Sequence, residues 1–195
     1  MKDFCVWTVG FLEVVFFARY VYQIRKREIA PTLSMWITFF LGTGLSFATY
    51  VVAEKADLRS GILNTMDAVG VTLVPIAILV WGRRAVRFRP FEKWYLACVV
   101  AIVAYALFSG DAWRSNIFTQ VLLVIGYAPT IHSLITEKRN TESFSTWGCS
   151  IAAGLVAFYP ATVEGNVLAM LYAIRNVVLA SLLVLIMAYY ERRRP

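Results

Sequence analysis

Charged residues are scarce in this sequence. They make up 16% of its 195 residues, and 59% of the residues are apolar, whereas about 25% of an ordinary soluble domain is charged. This number of charged side chains is too small to cover the surface of a soluble domain of this length. Cysteine is also rare, with three residues, which excludes a secreted disulfide scaffold. The 15% aromatic content and the low charge exclude a disordered chain.

Motifs of enzyme chemistry are missing as well. The single histidine, His132, has no cysteine or histidine at ligand spacing, so we expect no metal site. The sequence has no glycine-rich phosphate loop, no Gly-x-Ser-x-Gly elbow and no His-Glu-x-x-His. None of its long apolar stretches contains a lysine that could hold retinal, which excludes a rhodopsin. The sequence therefore predicts a protein that is not an enzyme and has no cofactor.

Seven apolar stretches, separated by charges, glycine and proline, dominate the chain. A helix needs about 20 mostly apolar residues to cross a bilayer, which favours an all-α protein with seven transmembrane helices. The fourth stretch is short. It is either a crossing with interfacial aromatic residues at both ends or a re-entrant segment, and the alternation of charged loops favours a crossing. The predicted stretches are Phe4–Tyr22, Ser34–Ala53, Leu63–Trp81, Trp94–Phe108, Ser115–Ile135, Phe144–Pro160 and Asn166–Tyr190.

Lysine and arginine are concentrated in every second loop, which predicts the orientation in the membrane. One side carries Arg25, Lys26, Arg27, Arg83, Arg84, Arg87, Arg89, Lys93, Lys138, Arg139, Arg192, Arg193 and Arg194. The other side has only Lys2, Lys55, Arg59 and Arg114. The N-terminus is therefore expected outside and the C-terminus in the cytoplasm.

The net charge of +7 then belongs to the cytoplasmic face of a membrane protein. It does not indicate a nucleic-acid partner, because such a footprint needs charges clustered on a folded soluble surface. We expect a multi-pass protein of the bacterial inner (plasma) membrane, with the lipid bilayer as a partner and basic loops that contact anionic lipid. The sequence leaves homo-oligomerisation open.

An internal repeat relates the first three stretches to the last three. Tyr20 and Trp36 in the first copy match Tyr127 and Trp147 in the second, with similar Ser/Thr-rich segments before each tryptophan. The residues seven positions before the two tyrosines are both polar and both mid-span, namely Glu13 and Gln120. Two three-helix units in the same orientation need one linking crossing. We therefore divide the chain into a first unit (1–82), a basic loop with the linker helix (83–113) and a second unit with a basic tail (114–195).

This layout resembles the SWEET and PQ-loop transporters, which are built as 3+1+3 helices with the N-terminus outside. The local pattern is similar too, although the family's Pro-Gln pair is split here between Tyr22-Gln23 and Pro129-Thr130. PnuC-type vitamin-precursor transporters share the layout and are a near neighbour. The resemblance implies a gate at the cytoplasmic mouth, formed by Tyr20, Gln23, Tyr127 and Pro129. It also implies a substrate-holding asparagine on the third helix of each unit, for which Asn176 is the best match.

Several polar residues inside the spans are candidate site residues, because charges in a membrane are costly and commonly functional. Arg175 lies near mid-span and needs a partner. Glu13 is the preferred one and Asp67 the other option, either as a fixed structural ion pair or as a pair that lines a wet cavity. Arg19 lies near the end of its span, where its side chain can reach the interface.

Uncharged candidates also have two interpretations each. Asn176 is either a substrate ligand or one side of a helix–helix hydrogen bond. Trp36 and Trp147 are either interfacial aromatic residues or a stacking wall at the inner mouth. Proline permits a membrane helix to bend, so Pro129 and Pro75 are candidate hinges.

Together these patterns predict a transporter or facilitator of a small polar solute such as a sugar or a vitamin precursor. Alternating access between the two units would move the solute, either passively or coupled to a proton through Glu13 or Asp67. The alternative is a non-transporting seven-helix receptor or scaffold. A wet cavity that reaches Glu13, Asp67 and Asn176 would favour transport, and a sealed seam of Leu and Phe would favour the scaffold.

Overall fold

The computed structural model describes residues 1–53, 57–82 and 90–193, and every regular element in these ranges is an α-helix. The basic residues at 83–89 in the linking segment, together with Lys55 and Arg194, lie outside the described residues. The helices are α1 (Lys2–Arg25), α2 (Leu33–Ala53), α3 (Ile62–Gly70), α4 (Leu73–Trp81), α5 (Pro90–Phe108), α6 (Ala112–Ile125), α7 (Ala128–Glu137), α8 (Phe144–Val163) and α9 (Val167–Arg192).

Among the described residues, seven helical segments are long and apolar enough to cross a membrane, which confirms the prediction of seven spans. The third segment combines α3 with α4, and the fifth combines α6 with α7. The fourth, α5, has 19 residues rather than the short run that composition alone suggested. It begins at Pro90, whose fixed backbone suits the first helical position, and the charged Glu92 and Lys93 form part of its first turn.

Two prolines interrupt the third and fifth spans. Pro75 and Pro129 lack an N–H, so the carbonyl four residues earlier in each case loses its usual helical partner. The regular helix stops at Val71 and Thr72 in one span and at Gly126 and Tyr127 in the other. The backbone nevertheless keeps helical torsion angles there, with φ −62° and ψ −17° at Val71. The breaks are therefore losses of hydrogen bonds and not turns, and the role of these prolines as hinges stays a prediction.

The helices pack in a reciprocal way. The main neighbour of α1 is α8, and the main neighbour of α2 is α6. Thus the first helix of each predicted unit lies against the second helix of the other one. Helices α3 and α4 cover α1 and α2, while α9 packs on α8. Helix α5 lies at the periphery against α2 and α6.

The outer surface of this bundle is apolar. Large side chains such as Trp7 and Phe108 are 80% and 88% exposed. A contiguous surface of this kind is suited to lipid and not to water. The structure is thus that of a multi-pass membrane protein.

Close helix contacts depend on glycine at a few positions. A Cβ at Gly70 would overlap the ring of buried Phe17, and a Cβ at Gly154 would lie 2.7 Å from Val177 and 3.1 Å from Nδ2 of Asn176. Small residues let membrane helices approach each other in this way. At Gly148 in α8, by contrast, an added Cβ would meet no neighbouring atom within 4 Å.

We expect Gly70→Ala to lower the thermal unfolding temperature of the purified protein in detergent. Overpacking of this kind costs about 1–3 kcal/mol, which exceeds the gain of about 0.5–1 kcal/mol from replacing glycine by alanine in a helix. Gly148→Ala is the matched control and should be neutral or stabilising. Adding Phe17→Leu to Gly70→Ala should recover part of the loss. Equal unfolding temperatures for the two single variants would contradict the close contact of α1 with α3.

Candidate functional site

Four of the predicted gate and wall residues form one buried aromatic cluster. The tyrosine and tryptophan of each repeat pack together, with ring centroids 4.9 Å apart for Tyr20 and Trp36 and 5.8 Å apart for Tyr127 and Trp147. Tyr20 and Trp147 cross between the repeats at 6.4 Å. The cluster lies near the end of the bundle that carries residues 26–32 and 138–143, which we call the basic end.

A buried carboxylate, Glu142, ties this cluster together. Its Oε2 accepts a hydrogen bond from the Tyr20 hydroxyl at 2.6 Å and another from Nε1 of Trp147 at 3.1 Å. Nε1 of Trp36 in turn donates to the Tyr20 oxygen at 3.2 Å. Sequence reasoning missed Glu142 because it treated the charged segment at 136–142 only as a break between spans. The repeat gives no signal either, since Pro31 occupies the matching position.

Further hydrogen bonds close the basic end between the two halves of the chain. The backbone N–H of Ala30 donates to the carbonyl of Thr141 at 2.9 Å. The hydroxyls of Thr32 and Thr130 lie 2.6 Å apart, and Nε of Arg19 donates to Ser145 at 2.8 Å. These bonds join loops and helix ends that are about a hundred residues apart in sequence.

The remaining predicted gate residues lie nearby but make fewer contacts. Pro129 is buried in the second position of α7, directly after the interruption of the fifth span. Gln23 is buried at the end of α1, and its Oε1 has no hydrogen-bond partner among the described residues. The structure thus brings Tyr20, Tyr127 and the two tryptophans together. The gate roles of Tyr20, Tyr127, Gln23 and Pro129 stay predictions.

The opposite end of the bundle is closed by Asn166. Its Nδ2 donates to the hydroxyls of Tyr50 and Ser60, each at 2.8 Å, while its Oδ1 caps α9 by accepting from the N–H of Ala169 at 3.0 Å. The Tyr50 hydroxyl donates to the carbonyl of Asp57 at 2.7 Å. An ion pair between Lys2 and Glu164 lies at the same end.

A small cavity of about 30 Å³ lies between the two closed ends. Since a water molecule needs about 10–15 Å³ by this measure, the cavity has room for about two waters. It includes Asp67, Arg175, Asn176, Trp36, Trp147 and Tyr127 among the predicted residues, together with Phe16, Phe17, Phe39, Thr43, Val71, Leu123, Ser150 and Tyr172. Glu13, Gln120 and Tyr20 are not among its lining residues.

The predicted ion pair between Glu13 and Arg175 does not form. Nε of Arg175 donates instead to Oε1 of Gln120 at 3.0 Å, and the guanidinium lies over the ring of Tyr172 at 4.4 Å. The Tyr172 hydroxyl donates to Oδ2 of Asp67 at 2.7 Å, so Tyr172 separates the guanidinium from that carboxylate. Arg175 therefore makes no ion pair within 4 Å in the part of the chain that is described.

Glu13 interacts with the other acid of the site. Its buried carboxyl group lies within hydrogen-bonding reach of that of Asp67, and within the described ranges neither Glu13 oxygen has another hydrogen-bond partner. The two repeats correspond here. The polar residue seven positions before the repeat tyrosine contacts a charged residue of the third crossing of its own unit: Glu13 contacts Asp67, and Gln120 contacts Arg175.

A hydrogen-bonded network extends from Arg175 to three other helices through Ser46. The Ser46 hydroxyl accepts from Nε2 of Gln120 and from Nδ2 of Asn64, each at 3.2 Å, and Nδ2 of Asn116 donates to the Ser46 carbonyl at 2.8 Å. Ser46 is buried in α2 at a crossing of helices. Sequence reasoning included it only in a small-residue face, since nothing local marks a serine as the centre of a network.

Asn176 forms the interhelical hydrogen bond that was its alternative interpretation. Its Nδ2 donates to the carbonyl and the hydroxyl of Ser150 in α8, at 3.0 and 3.1 Å, while the residue also lines the cavity. Opening this bond would free one amide and one hydroxyl toward a ligand. The substrate-binding interpretation of Asn176 stays a prediction.

Comparison of the chain with protein-family models, with curated proteins and with solved structures gives no match. Among the described residues, no group of three or more His, Cys, Asp or Glu side chains is placed to hold a metal ion. What the site can do therefore follows from its own geometry. It places one acid, one guanidinium, one amide, hydroxyls and aromatic walls around a small cavity, with the second acid, Glu13, beside Asp67.

We expect Tyr20→Phe to loosen the basic end. The change removes one of the two donors to Oε2 of Glu142 and leaves Nε1 of Trp36 without its acceptor, and an unpaired buried polar group costs about 1–3 kcal/mol. In a background with the three native cysteines replaced by alanine, a cysteine at the cavity position Ser150 should react with a soluble thiol reagent about tenfold faster.

Tyr105→Phe is the matched control, because Tyr105 lies half-exposed on the peripheral α5 against Phe118. It should leave the labelling rate unchanged. An unchanged rate in a folded Tyr20→Phe variant would show that the Tyr20–Glu142 bond does not keep this end closed.

Proposed function

We propose that the protein is a membrane transporter or facilitator that carries a small polar solute by alternating access. The observation that carries this proposal is the polar cavity between two hydrogen-bonded closures. A purely structural scaffold gains nothing from placing Asp67, Arg175 and Asn176 around a central cavity, because each of these groups is costly in a membrane. A transporter needs such groups to replace the water that its solute loses.

The moving parts in this proposal are the units 1–82 and 114–195, with α5 as the linker. The reciprocal packing of α1 on α8 and of α2 on α6 supports the arrangement, because two equivalent units related by a pseudo-two-fold axis exchange these contacts. The peripheral position of α5 suits a linker. The concentration of basic residues supports a cytoplasmic basic end and an external N-terminus, in the inner membrane of a bacterium.

Alternating access follows from the two closures. Separation of Ala30 from Thr141 and of Tyr20 from Glu142 would open the cavity toward the basic end, and separation of Asn166 from Tyr50 and Ser60 would open it toward the other side. The cavity has room for about two waters. A solute larger than this enters only after one closure has opened.

Glu13 and Asp67 are the groups that would couple transport to a proton. Two neighbouring carboxylates in a medium of low polarity repel each other strongly, and a single proton shared between them removes that cost. Arg175 compensates one negative charge across the Tyr172 ring. One bound proton thus leaves the three groups without net charge.

Uptake into proteoliposomes tests the proposal. Purified protein should accumulate at least one member of a panel of sugars, amino acids, organic acids and nucleosides, with uptake stimulated by an inward proton gradient. Asp67→Asn keeps an acceptor for Tyr172 but removes the charge, so it should abolish stimulation by the gradient. Asp3→Asn, at an exposed ion pair with Arg59, is the control and should behave as the wild type.

Absence of uptake of every solute by well-folded protein would overturn the proposal in favour of a receptor or scaffold. If the proton gradient affects uptake in neither the wild type nor Asp67→Asn, the protein is still a transporter, but its transport is not coupled to protons.

A further inference from the structure

Arg175 is under-satisfied for a charged group in the middle of a span. It lies well inside α9, it lines the cavity, and of its five N–H donors only the one on Nε has a hydrogen-bond acceptor among the described residues. The Tyr172 ring supports one face of the guanidinium but accepts no strong hydrogen bond. Its two Nη atoms therefore have no acceptor among the described residues, in a side chain that lines the small cavity.

The nearest acids do not supply the missing acceptor. Oδ2 of Asp67 is occupied by the Tyr172 hydroxyl, and no carboxylate oxygen of the described residues lies within 4 Å of the guanidinium. Gln120 holds Nε, and its own Nε2 donates to Ser46 and Asn116, so this network fixes the guanidinium in place. A guanidinium held rigidly by its Nε edge presents its remaining edge as a fork that matches a planar oxyanion.

We propose that the solute carries a carboxylate group, which the Nη atoms of Arg175 bind. This inference rests on the proposed transport function and narrows its substrate class from polar solutes in general to small organic acids and zwitterions. A monoanionic carboxylate fits better than a phosphate, because Asp67 lines the same cavity and a second negative charge on the solute would raise the repulsion. The Asn176–Ser150 pair and the two tryptophans then surround the rest of the molecule.

Asp67 gives the site a second recognition element. It is neutralised either by the ammonium group of a zwitterion or by a proton that enters with a simple acid. Alanine and lactate both carry a carboxylate, but only alanine carries an ammonium group that can neutralise Asp67. Uptake of alanine would thus depend less on a proton gradient than uptake of lactate.

Pairs of acids and amides of equal size test the proposal on the wild-type protein. The probes are lactate with lactamide, benzoate with benzamide, and alanine with alaninamide, with glycerol phosphate as the phosphate probe. Uptake into proteoliposomes and the rise in thermal unfolding temperature on ligand addition are both measured. We expect at least one acid to bind and enter, with its amide weaker by about tenfold to a hundredfold, since hydrogen bonds to charged groups contribute about 1.5–3 kcal/mol.

Substitutions at Gln120 assign the effect to Arg175 without removing the arginine. Gln120→Glu supplies Arg175 with an internal carboxylate, which should weaken binding of the acid about tenfold and leave the amides unchanged. Gln120→Met is the matched control of similar length. It provides no anion, so the acid should still be preferred over its amide. Arg175→Lys keeps the charge but loses the fork, and we expect it to weaken binding of the acids more than binding of the amides.

The outcomes separate this inference from the transport function. Uptake of sugars, nucleosides or amides in preference to every acid would overturn the carboxylate proposal and leave the transporter standing. A preference for glycerol phosphate over all carboxylates would overturn the argument that the anionic group of the solute carries a single negative charge. An acid preference that is the same in Gln120→Glu and in Gln120→Met would remove Arg175 as its cause.

Discussion

The structure depends on one constraint: inside a bilayer, each polar side chain must find its partner within the helix bundle. Ser46 is hydrogen-bonded to Asn64, Asn116 and Gln120 where three spans meet, and Gln120 in turn holds Arg175 of a fourth span. The tyrosine and tryptophan groups at the basic end are satisfied in the same way through Glu142. Arg175 departs from this rule beside the cavity, because its two Nη atoms have no hydrogen-bond acceptor among the described residues.

Much of the fold could be predicted from the sequence because span length and apolar composition are local properties. All seven spans were found, and the repeat led to the aromatic cluster, since it pairs Tyr20 and Trp36 with Tyr127 and Trp147 on sequence alone. The fourth span was predicted too short because charges in its first turn look like loop residues. The depth of a residue along a span can be counted in residues. Features that depend on depth alone, such as the positions of the spans and of the aromatic cluster, were therefore predicted correctly.

The charge pairing was wrong because it depends on the rotation of each helix about its axis. Glu13 and Arg175 lie at similar depth, but Glu13 points to Asp67 and Arg175 points to Gln120. A sequence whose spans are apolar on most faces gives little information about that rotation. Glu142 and Ser46 were missed for a related reason: their importance comes from residues more than a hundred and about seventy positions away, and neither has a local motif.

In the proposed division into units 1–82 and 114–195, the two units contribute unlike charges to the site, and this asymmetry would suit the proposed transporter. The first unit brings Glu13 and Asp67, and the second brings Gln120 and Arg175, with the Tyr172 ring between the acid and the guanidinium. If the units rock against each other, the distance from Asp67 to Arg175 changes with them. The electrostatic energy of the site then differs between its open and closed forms. A solute or a proton that neutralises one of the charged groups therefore shifts the equilibrium between the open and the closed form. Two identical units would lack this coupling, because a symmetric pair of like charges repels in every arrangement.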